Sequence, residues 1–474
     1  MCAHLGVKRT LPPLPTRAEA VTNARSVGLL MARHGEPDHV SSPHKPGSDT
    51  VAVAYLAAQY PRTSQSFIRR EVKALRALGM HVETFAIRAA DPADLLSSSD
   101  RGEAATTMAI RPTTLSQIAR VHVKAAFRHP RAYLATLARG WRAAPPIRRG
   151  RLYQCFYFAE AIVLWDGMRR RALRHVHAHF ANVACDVARL TVAFGTAAGR
   201  EPWSWSFTMH GPTEFFAVER FGLVSKIEQA SLVVCISEFC RSQLMVLVAP
   251  EHWGKLEVVH CGLDPAEFVP CPSSDRPDPF RVLCVGRLVP EKGQAILIEA
   301  IAELCHRGLP IRLTVVGDGP SRQALEALAT QRGLDGQVTF TGALGEEEVI
   351  ARYQDSDALC VPSFAEGLPV VLMEAMALGL PVVTTRISGI AELVEDGTSG
   401  FVVPPGRIDL MADALARLAT DPRHRLEMGR AGRAAVAAGY DIASSAQALY
   451  GLLRQCPGAV SPASSDQTRL AGQA

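Results

Sequence analysis

The sequence predicts an α/β protein built from two doubly wound domains of parallel strands. Three observations lead there. Short apolar strands alternate with helix-period stretches along most of the chain, the rhythm restarts after a proline-rich break at 275–279, and 474 residues exceed what one hydrophobic core usually organises. Strands that alternate with helices pair in parallel, because each crossover helix carries the chain back to the same sheet edge. Ligands of such sheets bind beyond the C-terminal ends of the strands.

Residues 1–49 are rich in Pro, Ser, Arg and Gly without sustained periodicity and read as a disordered extension. The first domain, 50–272, opens with a strand at 51–56. Apolar Phe67, Val72, Leu75 and Leu78 then recur at helical spacing over 66–78, Gly79 ends that helix, and 81–87 is the next strand. A basic helical region follows, and after it come strands at 176–180, 203–208, 232–236 and 256–259. Residues 275–279 read as a linker. The second domain, 280–435, carries strands at 280–285, 312–316, 338–340, 358–361, 381–384 and 400–403. A terminal helix lies within 436–456, and 457–474 is small and polar enough for a disordered tail. Two such domains facing one another leave a cleft, a favoured place for ligands.

Composition narrows the class. Hydrophobic content of 48% with 20% charged residues is ordinary for a soluble globular protein. No uninterrupted apolar run approaches the roughly 20 residues that span a bilayer, and the richest, 155–165, is broken by Glu160. Residues 1–40 offer no apolar stretch for a secretory leader, so a cytoplasmic location is expected. The eleven cysteines include no Cys-x-x-Cys pair and lie mostly in apolar segments, which suits reduced thiols and speaks against zinc. Net charge is +5, but between Arg120 and Arg174 basic residues recur against only Glu160 and Asp166. Interleaved with Phe127, Tyr133, Leu134, Trp141 and Phe156, they form a surface suited to an anionic leaflet, a solvated helical face being the plainer alternative. No recognisable module points to nucleic acid as a partner.

The chemistry gathers in the second domain. Glu366 and Glu374 flank a run that is otherwise apolar, Gly or Pro; Glu366 falls in a strand-to-helix loop and Glu374 inside an apolar helix that Pro369 starts and Gly379 caps. An unpaired carboxylate there would cost several kcal/mol, so Glu374 needs a partner, either a buried arginine or a ligand. After the first strand of this domain, the run Gly-Arg-Leu-Val-Pro-Glu-Lys-Gly at 286–293 presents Arg287 and places Lys292 in the first turn of a helix starting near Pro290. A cation there opposes the helix dipole, and an anion between Arg287, Lys292 and the free N–H groups resolves the conflict. A diphosphate is the natural candidate. The turn Val-Gly-Asp-Gly-Pro at 316–320 lets backbone approach a ligand closely. Asp355 and Asp357 imitate an Asp-x-Asp metal site but precede a strand at its N-terminal end, away from the cleft.

In the first domain the run Thr-Met-His-Gly-Pro at 208–212 ends a strand, so His210 is expected at the domain interface, with a structural hydrogen bond as the plainer role. His177 and His179 project from one face of a strand, and spacing supplies no further metal ligand. Thr63, Ser64 and Ser66 offer hydroxyls at a helix N-terminus, for capping or for contact with a substrate.

Taken in order, Gly-Arg-Leu…Glu-Lys-Gly, Val-Gly-Asp-Gly-Pro, Phe-Thr-Gly, Pro-Ser…Glu-Gly-Leu-Pro-Val…Glu-Ala-Met-Ala…Gly-Leu-Pro-Val-Val and Gly-Ile-Ala-Glu-Leu-Val resemble family 4 of the glycosyltransferases, densely over 280–418. That family has the GT-B fold and retains anomeric configuration. By this resemblance, Arg287 and Lys292 bind the diphosphate of a UDP- or GDP-sugar, Glu374 takes the ribose hydroxyls, Glu366 and His210 face the donor sugar, and the main chain at Gly367 and Leu368 contacts sugar or phosphate. No metal or other cofactor need be invoked. Where many members carry a Gly-Gly loop after the first strand, this chain departs, with Tyr-Pro-Arg-Thr-Ser-Gln-Ser-Phe at 60–67. That run and His177-Ala-His179-Phe180 are more loosely similar to the bacterial exopolysaccharide branch of the colanic acid type, which implies a saccharide acceptor carried on a lipid.

Overall fold

The computed structural model describes residues 50–111, 114–144, 149–270 and 279–461; the predicted extension at 1–49, nearly all of the linker and residues 462–474 lie outside the described residues. The first sheet contains β1 (Thr50–Gln59), β2 (His81–Arg88), β3 (Met108–Arg111), β4 (His175–His179), β5 (Ser204–Met209), β6 (Leu232–Cys235) and β7 (Leu256–Val258) in the order β3-β2-β1-β4-β5-β6-β7, all parallel. The second contains β8 (Phe280–Val285), β9 (Ile311–Val316), β10 (Val338–Gly342), β11 (Ala358–Val361), β12 (Val382–Thr385) and β13 (Phe401–Val403) in the order β10-β9-β8-β11-β12-β13, again parallel. Both are doubly wound, as the sequence predicts. In each sheet the order reverses beside the first strand, between β1 and β4 and between β8 and β11, and the loops at these points diverge to leave room for a ligand.

Central parallel strands are covered on both faces and normally read as unbroken apolar runs. β11, Ala-Leu-Cys-Val, follows that rule, and every residue of it and of β12 is buried. β4 breaks it: His175, His177 and His179 alternate along a strand that is buried throughout. Register explains how the fold tolerates them, because β5 sets Ser204, Ser206 and Thr208 opposite the three imidazoles. Ser204 and Ser206 hold the two nitrogens of His175 at 2.6 and 2.7 Å, and Ser206 and Thr208 those of His177 at 2.8 and 2.9 Å. Burial pushes His175 down to about 3 and His177 well below its ordinary range, so the ladder is a neutral polar strip inside the sheet.

Three departures from the sequence reading shape the molecule. The helix Ser66–Ala77 buries Ile68, Val72 and Leu75 but leaves Leu78 exposed and buries Arg70 instead. Its N-cap is Gln65, which makes no capping hydrogen bond, so the Ser64 and Ser66 hydroxyls do not serve as that cap. The predicted tail is in part structured. Ala459 O accepts from the Ala52 N–H at 2.8 Å, and β14 (Val460–Ser461) pairs antiparallel with the start of β1, before the β1–β4 pairing begins at Ala54. The helix Ile442–Arg454 leads the chain back, packing on Ser66–Ala77 and sharing a cluster of Leu449, Leu453, Val72 and Leu75. The C-terminal segment therefore completes the first sheet.

In the second sheet the loops after β8 and β9 are fastened together. Gly317 holds φ at 134°, and a Cβ there would lie 2.0 Å from the Gly286 carbonyl oxygen. Leu288 N–H donates to Asp318 O and Ser321 N–H to Leu288 O, each at 3.0 Å. Gly317→Ala should therefore lower unfolding free energy in urea by at least about 2 kcal/mol, combining a backbone clash with a disfavoured φ. A loss under about 0.5 kcal/mol would show that the two loops are not fastened there.

Candidate active site

The reversal between β8 and β11 brings two sequence-distant loops side by side. Phe364 N–H donates to Glu291 O at 2.8 Å, which fastens loop 362–368 to loop 286–293. On this frame Lys292 Nζ donates to Glu366 Oε1 at 2.6 Å, and Ser363 Oγ donates to the same oxygen at 2.7 Å. Glu366 is buried, whereas Arg287 is exposed and has no ion pair or side-chain hydrogen bond among the described residues. The expected helix starting near Pro290 is in fact a single 3-10 turn, Pro290–Lys292, after which left-handed Gly293 leads into the helix Gln294–His306. Lys292 is thus outside the α-helix, and a protein carboxylate already answers its charge.

Glu374 finds a partner in the protein. Its helix is Val370–Ala377, with Pro369 at the N-cap and a turn at Gly379 beyond it. Arg70 Nη2 donates to Glu374 Oε1 at 2.8 Å and Tyr353 OH to Oε2 at 3.1 Å. The buried-arginine alternative is therefore realised, and it is realised between the two sheets. Arg70 also reaches Glu346 Oε1 at 2.6 Å, and Arg69 joins Glu346 and lies 3.3 Å from Asp100. Arg69 and Arg70 sit near the N-terminal end of Ser66–Ala77, where the dipole disfavours cations; Glu346 opens the helix Glu346–Gln354, where the dipole favours its charge. Glu346 thus screens two positive helix ends from one another. Burial alone would raise its pKa, but Arg70 and Arg69 outweigh that and hold it below the ordinary range. Nε and Nη1 of Arg70 remain without a hydrogen-bond partner.

His210 follows β5 and lies where the two sheets touch. A Cβ on Gly367 would fall 1.9 Å from the His210 carbonyl oxygen, so only glycine lets the loop after β11 lie on this backbone. The imidazole turns inward, packed against Phe67 and Phe180 with ring centroids 4.7 and 4.8 Å away. Its Nε2 is 2.8 Å from His179 Nδ1, and its Nδ1 is 3.8 Å from Cys261 Sγ. Burial lowers its pKa to about 3, so it is neutral at physiological pH. Leu368, next to Gly367, is buried.

Sequence reasoning passed over several residues of this region. Arg70 lay in a helix whose apolar pattern drew attention elsewhere; a second arginine at a helix start was the available signal. Glu392 accepts from the Glu238 and Phe239 N–H groups at 2.8 Å each, a carboxylate from the second sheet at the N-terminus of the helix Glu238–Leu247 of the first. Asp357, the imitation metal ligand, instead takes the Arg281 N–H at 2.8 Å and pairs with its guanidinium. Glu71, His177 and His179 place donor atoms within 4.8 Å of one another. A metal would have to displace Ser206 or Thr208 from His177, so this set is a poor fit for one.

The basic region forms three packed helices, Leu115–Arg128, Pro130–Arg142 and Gly150–Arg170. Phe127 is 88% and Val123 69% exposed, beside exposed Leu134 and Trp141. Arg120, Lys124, Arg128 and Arg131 are exposed with no ion pair among the described residues.

Replacing Arg70 by Ala strips a buried carboxylate of its counter-charge and should cost about 3–5 kcal/mol in urea unfolding. Arg70→Met combined with Glu374→Leu should recover most of that loss. A single variant within about 0.5 kcal/mol of wild type would show the pair to be dispensable.

Residues 272–435 match the profile of the family described as Glycosyl transferases group 1. The chain is similar to the Alpha-D-kanosaminyltransferase of Streptomyces kanamyceticus, 40% identical over 174 residues that make up 37% of this chain and 45% of that protein, so it spans about half the length of that relative. Similarity to the putative colanic acid biosynthesis glycosyltransferase WcaL of Salmonella typhimurium runs further, 27% identity over 392 residues, 80% of this chain and 93% of that one. Anabaena Alr3699/HepE, solved in complex with UDP-glucose, superposes with a TM-score of 0.64 at 18% identity, covering 85% of this chain and 100% of that chain. The chain has the GT-B fold, two doubly wound sheets joined at their reversal points, and the match to the glycosyl transferases group 1 family lies in the domain built on the second sheet.

Proposed function

We infer that the protein is a retaining glycosyltransferase of family 4 that moves a sugar from a nucleotide-diphosphate donor to a lipid-linked saccharide in bacterial polysaccharide synthesis. The observation that carries this reading is the meeting of Lys292 and Glu366 at the reversal point of the second sheet, with Arg287 on the same loop as Lys292. Lys292 has three N–H donors and gives one to Glu366, which leaves two for phosphate oxygens. Arg287 has its whole guanidinium available. As the bond from sugar C1 to the diphosphate oxygen breaks, negative charge grows on the leaving group, and fixed cations there stabilise the transition state more than the ground state. The acceptor oxygen bonds to C1 on the same face, and its proton passes to the departing diphosphate, by front-face substitution or through a short-lived ion pair. No metal is called on.

Glu374 takes the ribose hydroxyls with the lone pairs that Arg70 and Tyr353 leave free, so donor and interdomain arginine share one carboxylate. Glu366 orients the sugar, held in place by Ser363 and Lys292. His210, neutral and held through Nε2 by His179, meets a sugar hydroxyl with Nδ1 in place of the long Cys261 contact and does not act as a base, and Gly367 and Leu368 offer main-chain groups beside it. The exposed apolar and basic side chains of the three-helix surface rest on the anionic inner face of the cell membrane, where a lipid-linked acceptor resides. The attachment we infer is peripheral and from the cytoplasmic side; no helix among the described residues is long and apolar enough to cross a membrane.

Incubation with UDP-, GDP- and ADP-sugars and membrane extract should release nucleotide only when acceptor is present, with a new glycosidic bond of retained configuration, unaffected by chelator. Lys292→Ala and Glu374→Ala should weaken nucleotide binding in calorimetry at least about tenfold, about 1.4 kcal/mol. Interconversion of the sugar nucleotide alone would identify an epimerase, and binding without turnover a sensor. On vesicles containing phosphatidylglycerol, flotation should recover the protein at low salt and lose it as salt rises. Phe127→Ser with Lys124→Glu should abolish recovery, and absence of binding by wild type would refute membrane attachment.

A further inference from the structure

The buried groups behind His210 form a chain with a direction. Tyr55 OH on β1 donates to Glu71 Oε1 at 2.8 Å, and His179 Nε2 faces that same oxygen at 3.5 Å with no hydrogen-bond partner of its own. His179 Nδ1 then meets His210 Nε2 at 2.8 Å, and His210 Nδ1 faces Cys261 Sγ at 3.8 Å. The His179 and His210 rings lie 22° from parallel, a geometry that holds the N···N contact. Tyr55 covers both His177 and His179, with centroids 5.1 and 5.2 Å away.

A hydrogen bond between two neutral imidazoles needs one N–H and one bare nitrogen, so the tautomer of one ring dictates that of the other. Burial keeps both rings neutral and the Cys261 thiol protonated. Two arrangements satisfy the chain, the second with the Glu71 proton on Oε1, the oxygen that faces His179. With Glu71 a carboxylate, His179 carries its proton on Nε2, its bare Nδ1 accepts from His210 Nε2–H, and His210 Nδ1 accepts from the thiol. With Glu71 a carboxylic acid, its O–H donates to His179 Nε2, His179 Nδ1–H donates to His210 Nε2, and His210 carries its proton on Nδ1. One proton at Glu71 reverses every link.

We propose that Glu71 is a positioning residue that, through His179, decides which ring nitrogen of His210 carries the proton. The groups facing Glu71 are Tyr55 on β1, His177 and His179 on β4, and Cys261 beyond β7, and burial holds each in its neutral form. None of them supplies a fixed cation, so burial raises Glu71 to about 7, opposed by the Tyr55 hydrogen bond. Both arrangements are thus populated near neutral pH. The consequence for glycosyl transfer rests on the reading of His210 as a contact of the donor sugar. A hydroxyl that donates needs a bare nitrogen, one that accepts needs an N–H, and Glu71 selects between them.

The test is long-range 1H–15N NMR of the full chain labelled with 15N-histidine, recorded from pH 5.5 to 8.5. In wild type the His179 and His210 tautomers should switch together with one midpoint, matching the Glu71 carboxyl followed by 13C. Glu71→Gln, whose amide neither gains nor loses a proton, should hold His210 in one tautomer at every pH. It should also remove the corresponding step from the kcat profile. His210 signals that stay constant while Glu71 titrates, or that switch in Glu71→Gln as in wild type, overturn the proposal. The wild-type titration decides the matter even if the variant does not fold. Because the NMR readout needs no turnover, a failure of the glycosyltransferase reading is seen separately, as tautomer switching without transfer.

Discussion

The ion pair between Arg70 and Glu374 is the constraint around which the two halves are arranged. Neither side chain could be buried alone: a guanidinium without counter-charge, or a carboxylate in an apolar helix, each carries a desolvation cost of several kcal/mol. Each is buried because the other domain supplies its partner. The arrangement therefore holds only while the helix after β1 and the helix after β11 face each other across the cleft. Glu346, Tyr353 and Arg69 extend the contact, and Glu392 at the start of Glu238–Leu247 adds a second polar fastening. Apolar side chains of both halves also share one buried cluster, in which Ile236, Leu263 and Phe268 of the first accompany Leu368, Leu372 and Met376 of the second.

The first domain solves a related problem differently. Three histidines on a central strand would ordinarily leave six ring nitrogens to satisfy inside a core. Register with β5 disposes of four through serine and threonine hydroxyls, and the remaining histidine turns its nitrogens to Glu71 and His210. Parallel pairing with a side-chain period of two is what makes the match possible, since a slip of one residue would set imidazoles against Trp205 and Phe207. The polar strip ends at the cleft, and a feature of sheet packing thereby reaches the site.

Elements whose evidence is local were legible. Strand and helix alternation gave the two sheets, the boundaries of β8 and β11 coincide with the apolar runs at 280–285 and 358–361, and the proline-to-glycine frame of the Glu374 helix is present. The need of Glu374 for a partner was also legible, because it follows from a carboxylate amid apolar neighbours. Its partner was not, since Arg70 lies 304 positions away and a second arginine at a helix start does not say which distant carboxylate meets it. The strand pairing at 460–461 escaped for the same reason, a two-residue segment having too little pattern to register.

The order of strands separates the two kinds of knowledge. From the sequence alone came the alternation, the apolar strands, the loops bearing Arg287, Lys292 and Glu366, and the family motifs, all properties of residues near one another in the chain. Tertiary structure decided which loops adjoin, that Lys292 meets Glu366, that Arg70 reaches Glu374, and that His210 turns its ring inward to His179. Those outcomes depend on sheet order and on how two sheets meet, and their energies come from burying charges and imidazoles that only a distant partner can satisfy.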